Sequence, residues 1–276
     1  MNQNTRENIL VDPYNVVFVD RVNDNFLFRG PNPVVKNQAP GETYSFDYGG
    51  LITAIGVAAE RAGQTLPWPY HLIDINLLQW ENANEVPMIL TEYNFFQYAQ
   101  GLGEFHFWET NGTGLCAVDQ PLSEPAVQDY LARNLGIWLT DNLADQPPDQ
   151  NPGRMQQLNA WLNAENVLPN VIYAHCEGGM DRTGELMGTY YLRFMHKTWA
   201  EMNCLNYQIG NRPFGCNNYR AVLWYAIYLN KVFNYNIDYN EAFPCADPDG
   251  PHYGCGDAST NPNPTNPWAN CESSGN

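Results

Sequence analysis

The sequence predicts an α/β fold, with a central, mostly parallel sheet flanked by helices in a single domain. Three observations lead there. Short runs rich in β-branched and aromatic residues recur at 16–19, 25–30, 70–78, 104–108 and 171–174, and stretches with helical spacing of apolar residues alternate with them. Strands alternating with helices in this way imply parallel pairing. Val171-Ile-Tyr-Ala174 is a continuous apolar run that feeds a Cys, a glycine-bearing turn and then an amphipathic pattern from Thr183, the strand–turn–helix order of an α/β unit.

Taken in order, residues 1–15 form a polar arm, residues 16–239 the folded domain, and residues 240–276 a Cys-, Asn- and Pro-rich tail of loop character. Val16-Val-Phe-Val19 reads as a strand, and Asn25 to Pro33 as a second one broken by Gly30 and Pro31. Arg29 stands at that break, and residue type alone favours a solvated loop arginine. Residues 48–63 carry Leu51, Ile52, Ile55 and Ala59 at helical spacing, stopped by Gly63. Tyr70 to Leu78 reads as a buried strand, in which Asp74 is expected to be a hydrogen-bonded structural carboxylate. Glu104 to Trp108 is the next strand, followed by a loop from Glu109 to Gln120.

Residues 122–135 and 153–166 read as helices, the second with Met155, Leu158, Trp161 and Leu162 on one face; an acidic, Pro-rich connector spans 141–152. The helix from Thr183 presents Leu186, Met187, Tyr190, Tyr191, Phe194 and Met195, with Arg193, His196 and Lys197 placed to favour its C-terminal dipole. A last helical pattern covers 217–233.

Composition limits the partners. At 276 residues, with 44% hydrophobic and 13% aromatic residues, the chain can bury a full core and is not disordered. A formal net charge of -17 excludes nucleic acid and anionic membrane surfaces as partners for the chain as a whole, though a local basic pocket is allowed. The first nine residues lack a signal-type apolar core and no run is long enough to span a bilayer, so a soluble, cytoplasmic protein without stable membrane association is expected. In that compartment the sequon Asn111-Gly-Thr113 carries no meaning. Seven cysteines leave six once Cys176 is set aside; disulfides are permitted, and a reducing compartment argues against them.

The chemistry concentrates at His175-Cys-Glu-Gly-Gly-Met-Asp-Arg-Thr-Gly184. A loop that leaves the C-terminal end of a parallel strand and enters a helix collects backbone N–H groups and a helix dipole, the usual anion site of an open α/β sheet. Gly178 and Gly179 can supply the positive φ that such a cradle needs. Their field, with Arg182, should hold the Cys176 thiol below its free pKa of about 8.5 and make it a nucleophile. The planar fork of Arg182 matches two phosphoryl oxygens. The phosphate-binding stretch is Glu177, Gly178, Gly179, Met180, Asp181 and Arg182. Thr183 is placed to hydrogen-bond the sulfur and help a thiolate leave, and His175 to order the loop. Asp181 is open between general acid, partner for loop amides and selector against bulky anions.

These ten residues resemble the active-site loop of the cysteine-dependent protein tyrosine and dual-specificity phosphatase superfamily. The Asp-Arg-Thr ending is similar to that of bacterial tyrosine/lipid phosphatases and myotubularin-like enzymes. Phe28-Arg-Gly-Pro-Asn-Pro33 resembles the Arg-containing turn of atypical dual-specificity phosphatases, and Leu72-Ile-Asp-Ile75 the strand that follows it; together the similarities span about residues 25–235.

The resemblance implies a protein tyrosine phosphatase-like fold and a two-step reaction. Cys176 attacks phosphorus, Arg182 and loop amides hold the equatorial oxygens, an acid protonates the leaving oxygen, and water hydrolyses the phosphocysteine. It implies no metal and no cofactor. Asp119 and Asp181 are the preferred acids, with Glu109, Asp141 and Asp145 competing, since no Trp-Pro-Asp is present. Phosphotyrosine proteins or small phosphomonoesters are the expected substrates, because the loop lacks the Lys or Arg of lipid-directed relatives. The Asp181 match favours phosphoinositides instead. A phosphate-binding module without a working acid is the alternative from another class, and zinc held by Cys245, His252, Cys255 and Cys271 is a third reading with irregular spacing.

Overall fold

The computed structural model describes residues 15–37, 43–110, 151–210 and 215–239. The expected helix at 122–135, most of the connector that follows it, and the tail cysteines lie outside them. The chain groups into two compact units, residues 1–109 with 158–179 and residues 110–157 with 180–276.

The first unit holds an α/β core. Strands β1 (Val17–Val22), β2 (Asn25–Gly30), β5 (His71–Asn76), β6 (Gly103–Phe107) and β7 (Asn170–His175) form one sheet in the order β1-β2-β7-β5-β6. β1 pairs antiparallel with β2, and every other pairing is parallel, so the mostly parallel sheet is present. β2 and β7 are buried along their whole length, as expected of interior strands covered on both faces. β3 (Val34–Lys36) and β4 (Tyr44–Phe46) form a separate hairpin.

Helix α1 (Tyr48–Arg61) begins at Asp47, whose carboxylate accepts the Gly50 N–H at 3.0 Å, and is followed by Gly63 at φ +69°. Leu51, Ala54, Ile55, Ala58 and Ala59 form its buried face and join Phe26, Phe28, Leu72, Val171 and Tyr173 in one core. Each large apolar side chain so buried contributes about 1.5–3 kcal/mol. Helix α2 (Val86–Tyr98), with Pro87 in its first turn, is an element without a signal in the residue pattern; its Phe95 and Phe96 pack on Phe46.

Asn25 ties the strand ends together. Its side-chain amide donates to Leu162 and Ala164 carbonyls, both at 2.9 Å, and its oxygen accepts the Asn170 N–H at 2.7 Å. Asn25→Ala is expected to cost about 3 kcal/mol in urea unfolding, because it strands buried backbone groups and not only its own bonds.

Helix α3 (Asn151–Leu162) buries Met155, Leu158 and Leu162, as its periodicity predicts. The second unit contains α4 (Asp181–Arg193), α5 (Trp199–Gly210) and α6 (Cys216–Phe233). α4 packs against both α5 and α6. Gly188 permits this: a Cβ there would sit 3.1 Å from Val222 and 3.3 Å from the Met202 sulfur. The helix ends at Arg193, so Phe194 and Met195 lie past its last turn, and Arg193 donates to the Tyr225 hydroxyl at 2.8 Å. α5 is a further element that the sequence reading left unassigned. α6 stops at Asn234, in the left-handed conformation with φ +56°.

Cys204 on α5 is disulfide-bonded, which runs against the reducing compartment expected from the sequence. Among the described residues, no helix is long and apolar enough to cross a membrane.

Candidate active site at the end of strand β7

β7 ends at His175 and α4 begins at Asp181, so Cys176 to Met180 form the loop between a buried parallel strand and a helix N-terminus. Cys176 is a free thiol, 3% exposed. Glu177 and Gly178 face solvent, Gly179 is buried, and Met180 is partly covered. The boundary between the two compact units falls between Gly179 and Met180.

In the first unit, the loop is anchored to the turn after β2. Asn32 donates its backbone N–H to the Glu177 carbonyl at 3.0 Å, and the Arg29 guanidinium donates to the Gly179 carbonyl at 2.9 Å. Arg29 is fully buried, which overturns its reading as a solvated loop arginine: the guanidinium is a fixed internal prop for the loop. Gly179 adopts φ +70°, and a Cβ there would collide with the Gly30 carbonyl. Of the two glycines offered by the sequence, this is the one in the left-handed region. The Tyr173 hydroxyl donates to the Pro31 carbonyl at 2.6 Å and fixes the same turn from below. Arg29→Met should therefore lower stability by about 2 kcal/mol in a denaturant titration, the worth of a buried charged hydrogen bond.

Behind the loop lies a buried polar group that the sequence did not announce. His175, Asp74 on β5 and Glu92 on α2 are all fully buried, and His175 Nε2 lies 3.3 Å from Asp74 Oδ1 and 3.2 Å from Glu92 Oε2. Burial pushes the Glu92 carboxyl up to about 7, against His175, with Asp74 adding to the rise. Burial works to lower His175, but Glu92 and Asp74 outweigh it and carry the imidazole up to about 10. The Tyr173 phenol is raised by burial first and then by Asp74, Glu92 and Cys176.

Asp74 is fully buried, as the sequence predicts of a structural carboxylate, and its partner is His175, at 3.3 Å. The His175 ring faces the Asp74 and Glu92 carboxylates through Nε2. Glu92 was missed because it is one acid inside the apolar and aromatic run Ile89 to Phe96, with no flanking motif.

In the second unit, Asp181 and Arg182 sit half-buried in the first turn of α4, and Thr183 is fully buried with its hydroxyl making no hydrogen bond. The Asp181 carboxylate accepts the Gly215 N–H at 2.6 Å, which ties α4 to the start of α6. One turn further on, fully buried Glu185 accepts from Asn151 at 2.9 Å and from Asn218 at 2.8 Å. Glu109, in the first unit, accepts the Trp80 N–H at 2.8 Å. Asp119, Asp141 and Asp145 lie outside the described residues.

The core catalytic domain of the PP-IP phosphatase SIW14 from S. cerevisiae, solved in complex with citrate, is similar to this chain with a TM-score of 0.31 and 15% identity, over 79% of this chain and 93% of that one. No family model matches the chain. No curated protein matches it either.

Proposed function

We propose that the chain is a cysteine-dependent phosphomonoesterase acting on phosphotyrosine or similar aryl phosphates. One observation carries the reading: a nearly buried thiol, outside any disulfide, lies in the chain between a parallel strand end and a helix N-terminus, within His-Cys-Glu-Gly-Gly-Met-Asp-Arg-Thr-Gly. The first turn of α4 leaves backbone N–H groups without helical partners, and its dipole favours an anion there.

In the first step the Cys176 thiolate forms an S–P bond as the P–O bond to the alcohol or phenol breaks. Arg182 and loop amides take the charge of the equatorial oxygens. In the second, water attacks phosphorus and the thiolate leaves, a step in which we assign the Thr183 hydroxyl to stabilise the departing sulfur. Asp181 accepts the Gly215 N–H at the start of α6, a structural use of its carboxylate. We assign it to positioning α6 and give the leaving-group proton to Asp119. That bond also accounts for the Asp before Arg182 without a lipid substrate.

Two measurements test this. Incubation with a ³²P-labelled aryl phosphate and acid quenching should leave label on the Cys176 peptide; absence of any covalent label together with no turnover, but tight phosphate binding, would establish the non-catalytic module instead. Asp119→Asn should slow alkyl phosphates about 10²- to 10³-fold while sparing good leaving groups such as nitrophenolate. An equal loss on both would remove Asp119 from the acid role, and preference for inositol phosphates over phosphotyrosine peptides in a substrate panel would overturn the substrate assignment.

A further inference from the structure

The buried group of Asp74, Glu92 and His175 is not used by the reaction just described. In the parallel register of β5 and β7, Asn76 lies beside His175 and Asp74 beside Tyr173, so Asp74 and Asn76 project from the same face as His175, towards α2. All three ionisable side chains are wholly inaccessible. Five of their polar atoms lack a hydrogen bond of good geometry: both Asp74 oxygens, Glu92 Oε1 and both His175 nitrogens, with Nε2 only within ion-pair reach of the two carboxylates. Orphans are uncommon in folded proteins, and five in one place call for a missing partner.

Distance separates the two ways of satisfying them. A charge-assisted N–H···O bond contracts to about 2.7–2.9 Å, and a buried one has every reason to do so. Here the separations are 3.3 and 3.2 Å. Ligand atoms about 2.0–2.2 Å from a tetrahedral ion stand roughly 3.3–3.5 Å apart, which matches the two separations from His175 Nε2. One ligand atom from each residue falls within 4.8 Å of the others.

Charge points the same way. Two carboxylates, a neutral imidazole and a divalent cation sum to zero charge, the balance a buried site needs. Outer-shell support is present: Asn76 donates to Glu92 Oε2 at 2.7 Å, and its own oxygen accepts the Leu78 N–H at 2.8 Å, which fixes the amide's orientation.

We propose that Asp74, Glu92 and His175 form a structural site for a divalent transition-metal ion of the zinc type, bound through two carboxylate oxygens and His175 Nε2. Binding releases the protons held on the cluster to solvent as the ion takes their place. The ion joins β5, β7 and α2 behind the nucleophile and takes no part in bond making, so the site is independent of the phosphatase reading.

The test uses the full-length chain, refolded in chelator, dialysed, and titrated with Zn²⁺ or Co²⁺. Stoichiometric metal by mass spectrometry and visible Co²⁺ bands without thiolate charge transfer are expected, with a higher melting temperature in the metal-loaded form. Asp74→Asn and Glu92→Gln should abolish stoichiometric binding, and Asn76→Ala should weaken it about 10- to 100-fold. Cys255→Ser should leave it unchanged. No stoichiometric metal in the folded wild type, thiolate bands, or undiminished binding in both carboxylate variants would each overturn the site. Should those variants fail to fold, the wild-type Co²⁺ spectrum alone distinguishes nitrogen–oxygen from sulfur ligation. Metal content is read without reference to turnover, so an inactive enzyme with a filled site, or an active one with none, separates the two proposals.

Discussion

Cys176→Ser is expected to give a folded protein whose turnover of aryl phosphates falls by about 10⁵-fold or more, the scale on which loss of a nucleophile is felt. The side chain is nearly buried and outside any disulfide, so an oxygen of similar size should leave the loop in place. A serine hydroxyl at neutral pH lacks the anion that a thiol supplies. Phosphate affinity should survive, since Arg182 and the loop backbone are untouched. The variant should therefore bind vanadate or a phosphopeptide while failing to turn substrate over. Steady-state kinetics and a binding titration check the two halves separately, and full activity in the variant would end the assignment of Cys176.

Gly179→Ala carries the second large effect. The residue stands at φ +70°, where a side chain is strained by about 1–2 kcal/mol, and its Cβ would also run into the Gly30 carbonyl. Backbone cannot move aside as a flexible side-chain tip does. The carbonyl of Gly179 would lose its place against Arg29, and with it the register of the amides on either side. We expect kcat to fall about 10²- to 10³-fold, comparable to losing an oxyanion donor, because the loop no longer presents its N–H groups to the transition state. Gly178→Ala is the control. Gly178 faces solvent and has no positive φ, so its substitution should change kcat by less than about threefold, a surface-scale effect.

Much of this arrangement was legible in the residues. The β7 strand, the loop and the α4 helix follow from an apolar run, two glycines and a 3.6-residue pattern, all local signals. The α1 helix was equally legible, since its stop at Gly63 is written in one residue. α2 was not, because Val86 to Tyr98 mixes apolar, aromatic and β-branched residues without a clean stripe, and its only punctuation is Pro87. Arg29 was misread for a related reason: its burial depends on Gly179, 150 residues away, and no local spacing encodes a partner at that distance. The cluster of Asp74, Glu92 and His175 shares that character, with one member from each of three elements. For Asp181 no local spacing points to the Gly215 amide, 34 residues away, whose N–H it accepts.

The strand order has a consequence for hydrogen exchange. β7 is bonded to β2 on one side and β5 on the other, whereas β1 and β6 occupy the sheet's margins. Amides at the margins exchange through small local openings, but those of an interior strand are released only when the sheet itself comes apart. The peptide group leading into Cys176 should thus be among the slowest in the chain to take up deuterium, and the thiol's station should last as long as the fold does.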